Sequence, residues 1–203
     1  MKALAKILVI IAAGGAGSRM GGHKPLAILG GRRLIDHALA HAMRHGGPVA
    51  VAAPAPFAGI CAPHLPDPAA DLGPIGALLA GVREAQRLGL QHVMLIGCDM
   101  PFLPDDLLPR LADVLPGHRA ALAVRGGQVQ PLAGLWQCDE PALAHFIATG
   151  GRSLHGFAQH QGWATAAWDD GGDDPFANIN TPGDLAAAEA RLRSHPPVVK
   201  PAR

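Results

Sequence analysis

Ile10-Ile11-Ala12-Ala13-Gly14-Gly15-Ala16-Gly17-Ser18-Arg19-Met20-Gly21-Gly22-His23-Lys24 is the stretch on which the reading of this chain turns. The apolar run Ile7 to Ile11 reads as a buried strand, and it feeds straight into a loop with five glycines, an arginine and a lysine. Glycine lets successive backbone N–H groups turn toward a ligand without interference from a Cβ, and a concave row of N–H groups holds phosphate. Arg19 and Lys24 add full positive charge where a polyphosphate would lie. A flexible surface loop accounts for the glycines but not for the buried strand that delivers them. Two other glycine loops are excluded. The Walker A pattern requires Lys followed by Ser or Thr, and here Lys24 precedes Pro25. The dinucleotide fingerprint G-x-G-x-x-G fails at its third glycine, where Met20 stands and close helix–strand packing is needed.

Bulk properties narrow the class further. With 203 residues, 17 basic and 16 acidic groups and a formal net charge of +1, the chain carries no electrostatic case for nucleic acid or membrane. Its length suits one domain with a substantial core. His37, His41 and His45 among the eleven histidines recur every four residues, but no cysteine joins them in a zinc motif, and Cys61, Cys98 and Cys138 form no CxxC pair. They read as reduced thiols of a cytoplasmic protein. The first apolar run is too short to span a bilayer, and it leads into the glycine loop rather than a cleavage site.

Apolar runs alternate with helical patterns, the rhythm of an α/β fold whose mostly parallel sheet has helices on both faces. The pattern predicts strands at 6–12, 48–53, 92–97, 120–124, 132–136 and 163–168. Helices are predicted at 33–44, 75–88, 104–115, 140–148, 153–161 and 182–193. Thr181-Pro182-Gly183-Asp184 is a helix start with Thr as N-cap and Asp at the third position. Asp169 to Asp174 reads as a solvated acidic turn rather than a calcium loop. Residues 1–194 form the predicted domain, and 195–203, with three prolines, a disordered tail.

Asp99 stands in Gly97-Cys98-Asp99-Met100-Pro101, just past the carboxyl end of a strongly apolar strand. In an open parallel sheet that edge binds ligands, and the glycine loop reaches the same edge. A carboxylate facing a triphosphate is expected to share Mg²⁺ with it, since magnesium takes one or two carboxylates plus phosphate oxygens. Asn178 and Asn180 flank Ile179 on one side of the backbone. One amide is expected to complete the metal shell and the other to satisfy local turn bonds; the spacing leaves open which does which. Asp67 and Asp71, before Gly73-Pro74, are candidates for contact with ribose or base. Trp136 is a candidate to stack on an aromatic ligand, against a core role, and Arg152 a candidate to bind a phosphate, against a surface role.

These motifs resemble the molybdenum cofactor guanylyltransferases, the MobA-like branch of the nucleotidyltransferases. The resemblance rests on the glycine loop with Arg19 and Lys24, Gly73-Pro74-Ile75-Gly76, Cys98 to Leu103, Gln130 to Trp136 and Asn178-Ile179-Asn180-Thr181-Pro182. They occur in family order over nearly the whole chain. The resemblance implies a Rossmann-like, doubly wound sheet of the nucleotide-diphospho-sugar transferase type. It implies GTP held by Ala12, Ala13, Gly14, Gly15, Gly17 and Lys24, with Asp67 at the nucleoside and Mg²⁺ on Asp99. Arg19, Lys24 and Asp99 are the expected catalytic groups, with Asn180, or else Asn178, as the further metal ligand.

The activity implied is transfer of GMP to the terminal phosphate of molybdenum-loaded molybdopterin. Molybdoenzyme apoproteins or cofactor carriers are the implied protein partners. Three positions depart from the family pattern. Gly21-Gly22-His23-Lys24 lacks an acid before the lysine and is one residue shorter. Ala12-Ala13 replaces Leu-Ala, a form shared with cytidylyltransferase relatives, and Ala52 stands where an asparagine is expected. The alternatives are a CTP-dependent enzyme making the cytosine cofactor, a nicotinamide-dependent oxidoreductase, and a non-catalytic nucleotide-binding carrier.

Overall fold

The computed structural model describes residues 7–14, 24–68, 72–169 and 171–194. Gly15, Gly17, Arg19 and His23 of the glycine loop, Asp71 and the predicted tail lie outside the described residues.

Strand β1 is Leu8–Ala12. Ile7, Val9 and Ile11 join one apolar cluster, and Leu8 and Ile10 join another on the opposite face. This follows from the two-residue period of a strand. A strand apolar on both faces is stable only when both are covered. Helices α1 (Leu34–Met43) and α3 (Leu107–Val114) cover the Val9 face. Helices α2 (Pro74–Arg87), α4 (Glu140–Ala148) and α5 (Leu154–Gln161) cover the Leu8 face. Helix α2 lies close to β1 because Gly81 faces Ile10: a Cβ there would stand 2.5 Å from Ile10 Cγ1. That approach buries Ile75, Leu78, Leu79 and Val82, each worth ~1.5–3 kcal/mol when fully removed from water.

The other strands are β4 (Val49–Ala52), β5 (His64–Leu65), β6 (His92–Gly97), β7 (Ala120–Arg125), β8 (Gln128–Gln137) and β9 (Trp163–Trp168). The seven-stranded order is β5-β4-β1-β6-β8-β7-β9. Strand β8 is antiparallel to both neighbours, and every other pairing is parallel. A small separate ribbon pairs β2 (Ile28–Leu29) with β3 (Arg32–Arg33). It packs with α6 (Pro182–Ser194) around Leu29, Leu34, Ile179 and Ala188.

Several boundaries differ from expectation. The helix predicted from residue 104 starts at Leu107, because Pro104 opens a turn closed by Leu107 N–H to Pro104 O at 3.1 Å. Pro109 then sits in the first helical turn, where no N–H is required. Two hairpins were not anticipated. Gly30-Gly31 joins β2 to β3 and Gly126-Gly127 joins β7 to β8, all four at positive φ. Two consecutive positive-φ residues make the tight turn whose twist matches paired strands.

The strand order reverses between β1 and β6. From β1 the chain returns as β4 on one side and later as β6 on the other. Ala12 lies opposite Ala52 and Gly97, so the three carboxyl ends are level. Main-chain bonds run past them: Cys98 N–H donates to Ala12 O at 3.1 Å and Ala13 N–H to Ala52 O at 2.8 Å. A crevice at such a reversal is where open α/β sheets bind ligands. Among the described residues no helix is long and apolar enough to cross a membrane.

Candidate active site

A cleft of about 330 Å³ opens at that reversal, lined by Ala12, Ala13, Gly14, Lys24, Asp67, Gly73, Pro74, Asp99, Leu132 and Asn180 among others. At its centre Lys24 Nζ donates to Asp99 Oδ2 at 2.5 Å and to Asn180 Oδ1 at 2.6 Å. The Lys24 and Asp99 side chains are only 16% and 14% exposed, which shelters the pair from solvent screening. Sequence reasoning assigned Lys24 to phosphate and Asp99 to metal; it did not anticipate that the two touch.

Each group is fixed by its local chain. Asp99 leaves β6 one residue after Cys98, and its carboxylate folds back over Gly97, where a Cβ would stand 2.5 Å from Oδ1. Lys24 opens a single 3-10 turn, Lys24–Leu26, closed by Ala27 N–H to Lys24 O at 3.0 Å. Asn180 precedes α6. Thr181 Oγ1 accepts from Asp184 N–H at 3.1 Å, while Asp184 Oδ2 accepts from the Thr181 and Asn180 N–H groups at 2.8 Å each. This reciprocal cap is the one the sequence predicted. The bond from Asn180 N–H, with those from Thr181, holds the Asp184 carboxyl below the usual range. Ile179 N–H donates to Asp99 O at 3.0 Å and joins the segment to the Asp99 turn. Asn178 turns to its own chain, its Nδ2 3.5 Å from Phe176 O, so Asn180 is the amide in the cleft.

The opposite end differs in charge. Asp67 stands beside Gly14, where a Cβ would lie 3.4 Å from Asp67 Oδ2. Burial raises its carboxyl above the ordinary value, and His64 partly opposes that. Among the described residues no salt bridge reaches Asp67. Gly73 and Pro74 border the same end as the start of α2.

The donor set suits a hard cation. Asp99 and Asn180 offer oxygens, while burial pushes the neighbouring Cys98 thiol up to about 12 and keeps it protonated. Among the described residues no three His, Cys, Asp or Glu side chains gather into a closed metal cage. One carboxylate and one amide oxygen match Mg²⁺, which draws its remaining ligands from phosphate and water. Zinc sites are usually built on His and Cys donors, which Asp99 and Asn180 do not provide.

Two other candidates lie elsewhere. Trp136 is 1% exposed and stacks on Phe157 at 6.1 Å, so it belongs to the core. Arg152 Nη1 donates to the Ile147 and Gly151 carbonyls at 2.8 Å each and closes the end of α4. Leu132, within the Gln130 to Trp136 motif but not singled out there, also lines the cleft. It sits where β8 slips against β7: Leu122 pairs with Gly134, but Ala123 pairs with Gln130. Such bulges re-aim side chains next to functional sites.

Residues 9–167 match the model of the MobA-like NTP transferase domain. A molybdenum cofactor guanylyltransferase of Cereibacter sphaeroides is 39% identical over 93% of this chain and 98% of its own length. One from Acidiphilium cryptum is 40% identical over 89% and 93%. Among solved structures, molybdopterin-guanine dinucleotide biosynthesis protein A of Archaeoglobus fulgidus superposes with a TM-score of 0.74 at 20% identity, covering 93% of this chain and 100% of that one. The 2-C-methyl-D-erythritol 4-phosphate cytidylyltransferase of Thermus thermophilus gives 0.68 at 23%, covering 93% and 99%. A doubly wound sheet, a cleft at its reversal point and relatedness along nearly the whole length lead to one conclusion: the chain belongs to the MobA-like NTP transferase family of nucleotidyltransferases.

Proposed function

We propose that this protein transfers GMP from GTP to the terminal phosphate of molybdenum-loaded molybdopterin and releases pyrophosphate. The observation that carries the reading is the Lys24–Asp99–Asn180 cluster in the cleft at the β1/β6 reversal. The relatives named molybdenum cofactor guanylyltransferase support the choice of base and acceptor.

The acceptor phosphate is already anionic, so the reaction needs no strong general base. Catalysis reduces to positioning and charge neutralisation. Lys24 has three N–H donors, and two are held here by Asp99 and Asn180; the third, and those released where the two oxygens take Mg²⁺, are available to phosphate oxygens. The main chain from Ala12 to Gly14 lines the same cleft as Asp99 and would hold the nucleotide there. Gly15, Gly17 and Arg19 continue that loop and are assigned to the leaving pyrophosphate. Asp67 faces the nucleoside from the other end. Asp99 and Asn180 are the residues that would hold Mg²⁺. When bound, the ion supplies Lewis-acid charge at the phosphate oxygens. Molybdoenzyme apoproteins or cofactor carriers are the partners that would receive the product.

Pyrophosphate release tests the reading, measured with molybdenum-loaded molybdopterin, Mg²⁺ and either GTP or CTP. Turnover with GTP is expected. Turnover with CTP alone would move the protein to cytosine cofactor synthesis. Nucleotide binding without turnover on either would make it a carrier.

A further inference from the structure

We propose that Arg191, in the last turn of α6, is a positioning residue for the metal-binding pair Asp99 and Asn180. The assignment rests on the nucleotidyl-transfer reading above. One guanidinium contacts both chain segments that deliver the pair. Its Cζ stands 3.9 Å from the centroid of the Phe102 ring, three residues past Asp99. Its Nη1 donates to Asp174 O at 2.6 Å, six residues before Asn180, and its Nε lies 3.2 Å from Asp173 Oδ2. The Arg191 side chain is largely sheltered, which strengthens a stacked cation beyond its value in open solvent. Asp174 passes the restraint onward, because its Oδ1 accepts from Phe176 N–H at 2.9 Å and Phe176 is buried.

Helix α6 therefore holds the site from both ends. Asp184 in its first turn fixes the Asn180 N–H, and Arg191 in its last turn ties the approach to Asn180 to the exit from Asp99. Removing the guanidinium leaves the Ile179-to-Asp99 bond in place but frees Phe102 and Asp174 to move apart. The separation of the two ligand oxygens then broadens. Groups that orient metal ligands from behind typically contribute 10–100-fold in metal affinity. Lysine reaches a carbonyl but lacks the planar face that stacks on Phe102 while donating sideways. Arg193, two residues along, is exposed and pairs with Glu189 at 4.0 Å, which makes it the matched control.

The test compares GTP affinity in EDTA with the affinity for Mn²⁺·GTP, followed by the electron paramagnetic resonance line shape of the bound ion. The difference between the two is the metal's contribution to binding. In wild type and Arg193→Ala that contribution is expected to be equal. In Arg191→Ala it falls about tenfold with GTP affinity in EDTA unchanged, and Arg191→Lys falls between. An unchanged metal contribution in Arg191→Ala overturns the proposal, and so does an equal loss of both affinities. Should Arg191→Ala fail to fold, Arg191→Lys decides by the same criterion. A wild-type protein that binds Mn²⁺·GTP no more tightly than GTP in EDTA sinks the metal reading of the cluster itself, and the positioning role with it.

Discussion

At one end of the cleft an ammonium is wedged between a carboxylate and an amide oxygen, with Lys24 bonded to Asp99 and Asn180. At the other end Asp67 stands beside Gly14 with its carboxyl raised by burial and no salt bridge among the described residues. Both ends hold an aspartate, yet their surroundings differ. Near Asp99, fixed charge of both signs is concentrated in a sheltered place, which suits a polyphosphate and a divalent cation. Near Asp67 a carboxylate without a salt bridge among the described residues suits a hydroxyl or amino donor of a neutral ligand. A carboxylate's role is thus set by its partners and not by residue type alone.

The largest effect is expected at the charged end. Lys24→Ala and Asp99→Ala should retain wild-type circular dichroism and lose about a hundredfold or more in turnover, as removal of one charged transition-state contact does. If Asp67→Asn loses as much kcat as either, the two ends are not distinct. Gly97→Ala tests the contrast without adding or removing a charge. The new Cβ meets the Asp99 carboxylate at 2.5 Å and Met100 Sδ at 3.2 Å. The carboxylate is a movable side-chain end, so displacement rather than unfolding should result. Turnover should fall about tenfold with a small change in Tm, and a large Tm loss with normal specific activity would refute that account.

Asp67→Asn should give the smallest effect: a severalfold rise in KM for GTP with kcat nearly unchanged. Its stability effect carries a defined sign. Burial raises the folded carboxyl above its unfolded value, so ionisation of Asp67 destabilises the fold as pH rises through the folded value. The neutral amide should therefore raise Tm at neutral pH. That gain should vanish as pH falls toward the ordinary carboxylate range, and a gain independent of pH would remove burial as its cause.

Much of the framework was legible because its signals are local. The strands His92–Gly97 and Trp163–Trp168 and the helix Glu140–Ala148 end where the pattern placed them. Each is a contiguous run with its own period and bounded by turn residues. The two hairpins were also local, in Gly30-Gly31 and Gly126-Gly127, and the glycine-pair turn signal was available but not applied. Strand β5 was not legible: His64–Leu65 is two residues long and exists only through its pairing with β4. The reversed direction of β8 is equally a property of its neighbours β6 and β7.

Local sequence sets the chemistry on offer and the sheet edge where it gathers. An apolar strand running into glycines and a second ending at Asp99 must bring their termini to one side of a parallel sheet. Which groups meet there depends on how the whole chain packs. Lys24 bonds Asp99 across 75 residues and Asn180 across 156, and Asn180 rather than Asn178 enters the cleft. Arg191 joins both segments from a helix whose local pattern gives no hint of it. The reason is physical. Periodicity and capping act over a few residues, whereas contact between distant side chains depends on strand order and helix docking, which the whole core sets together.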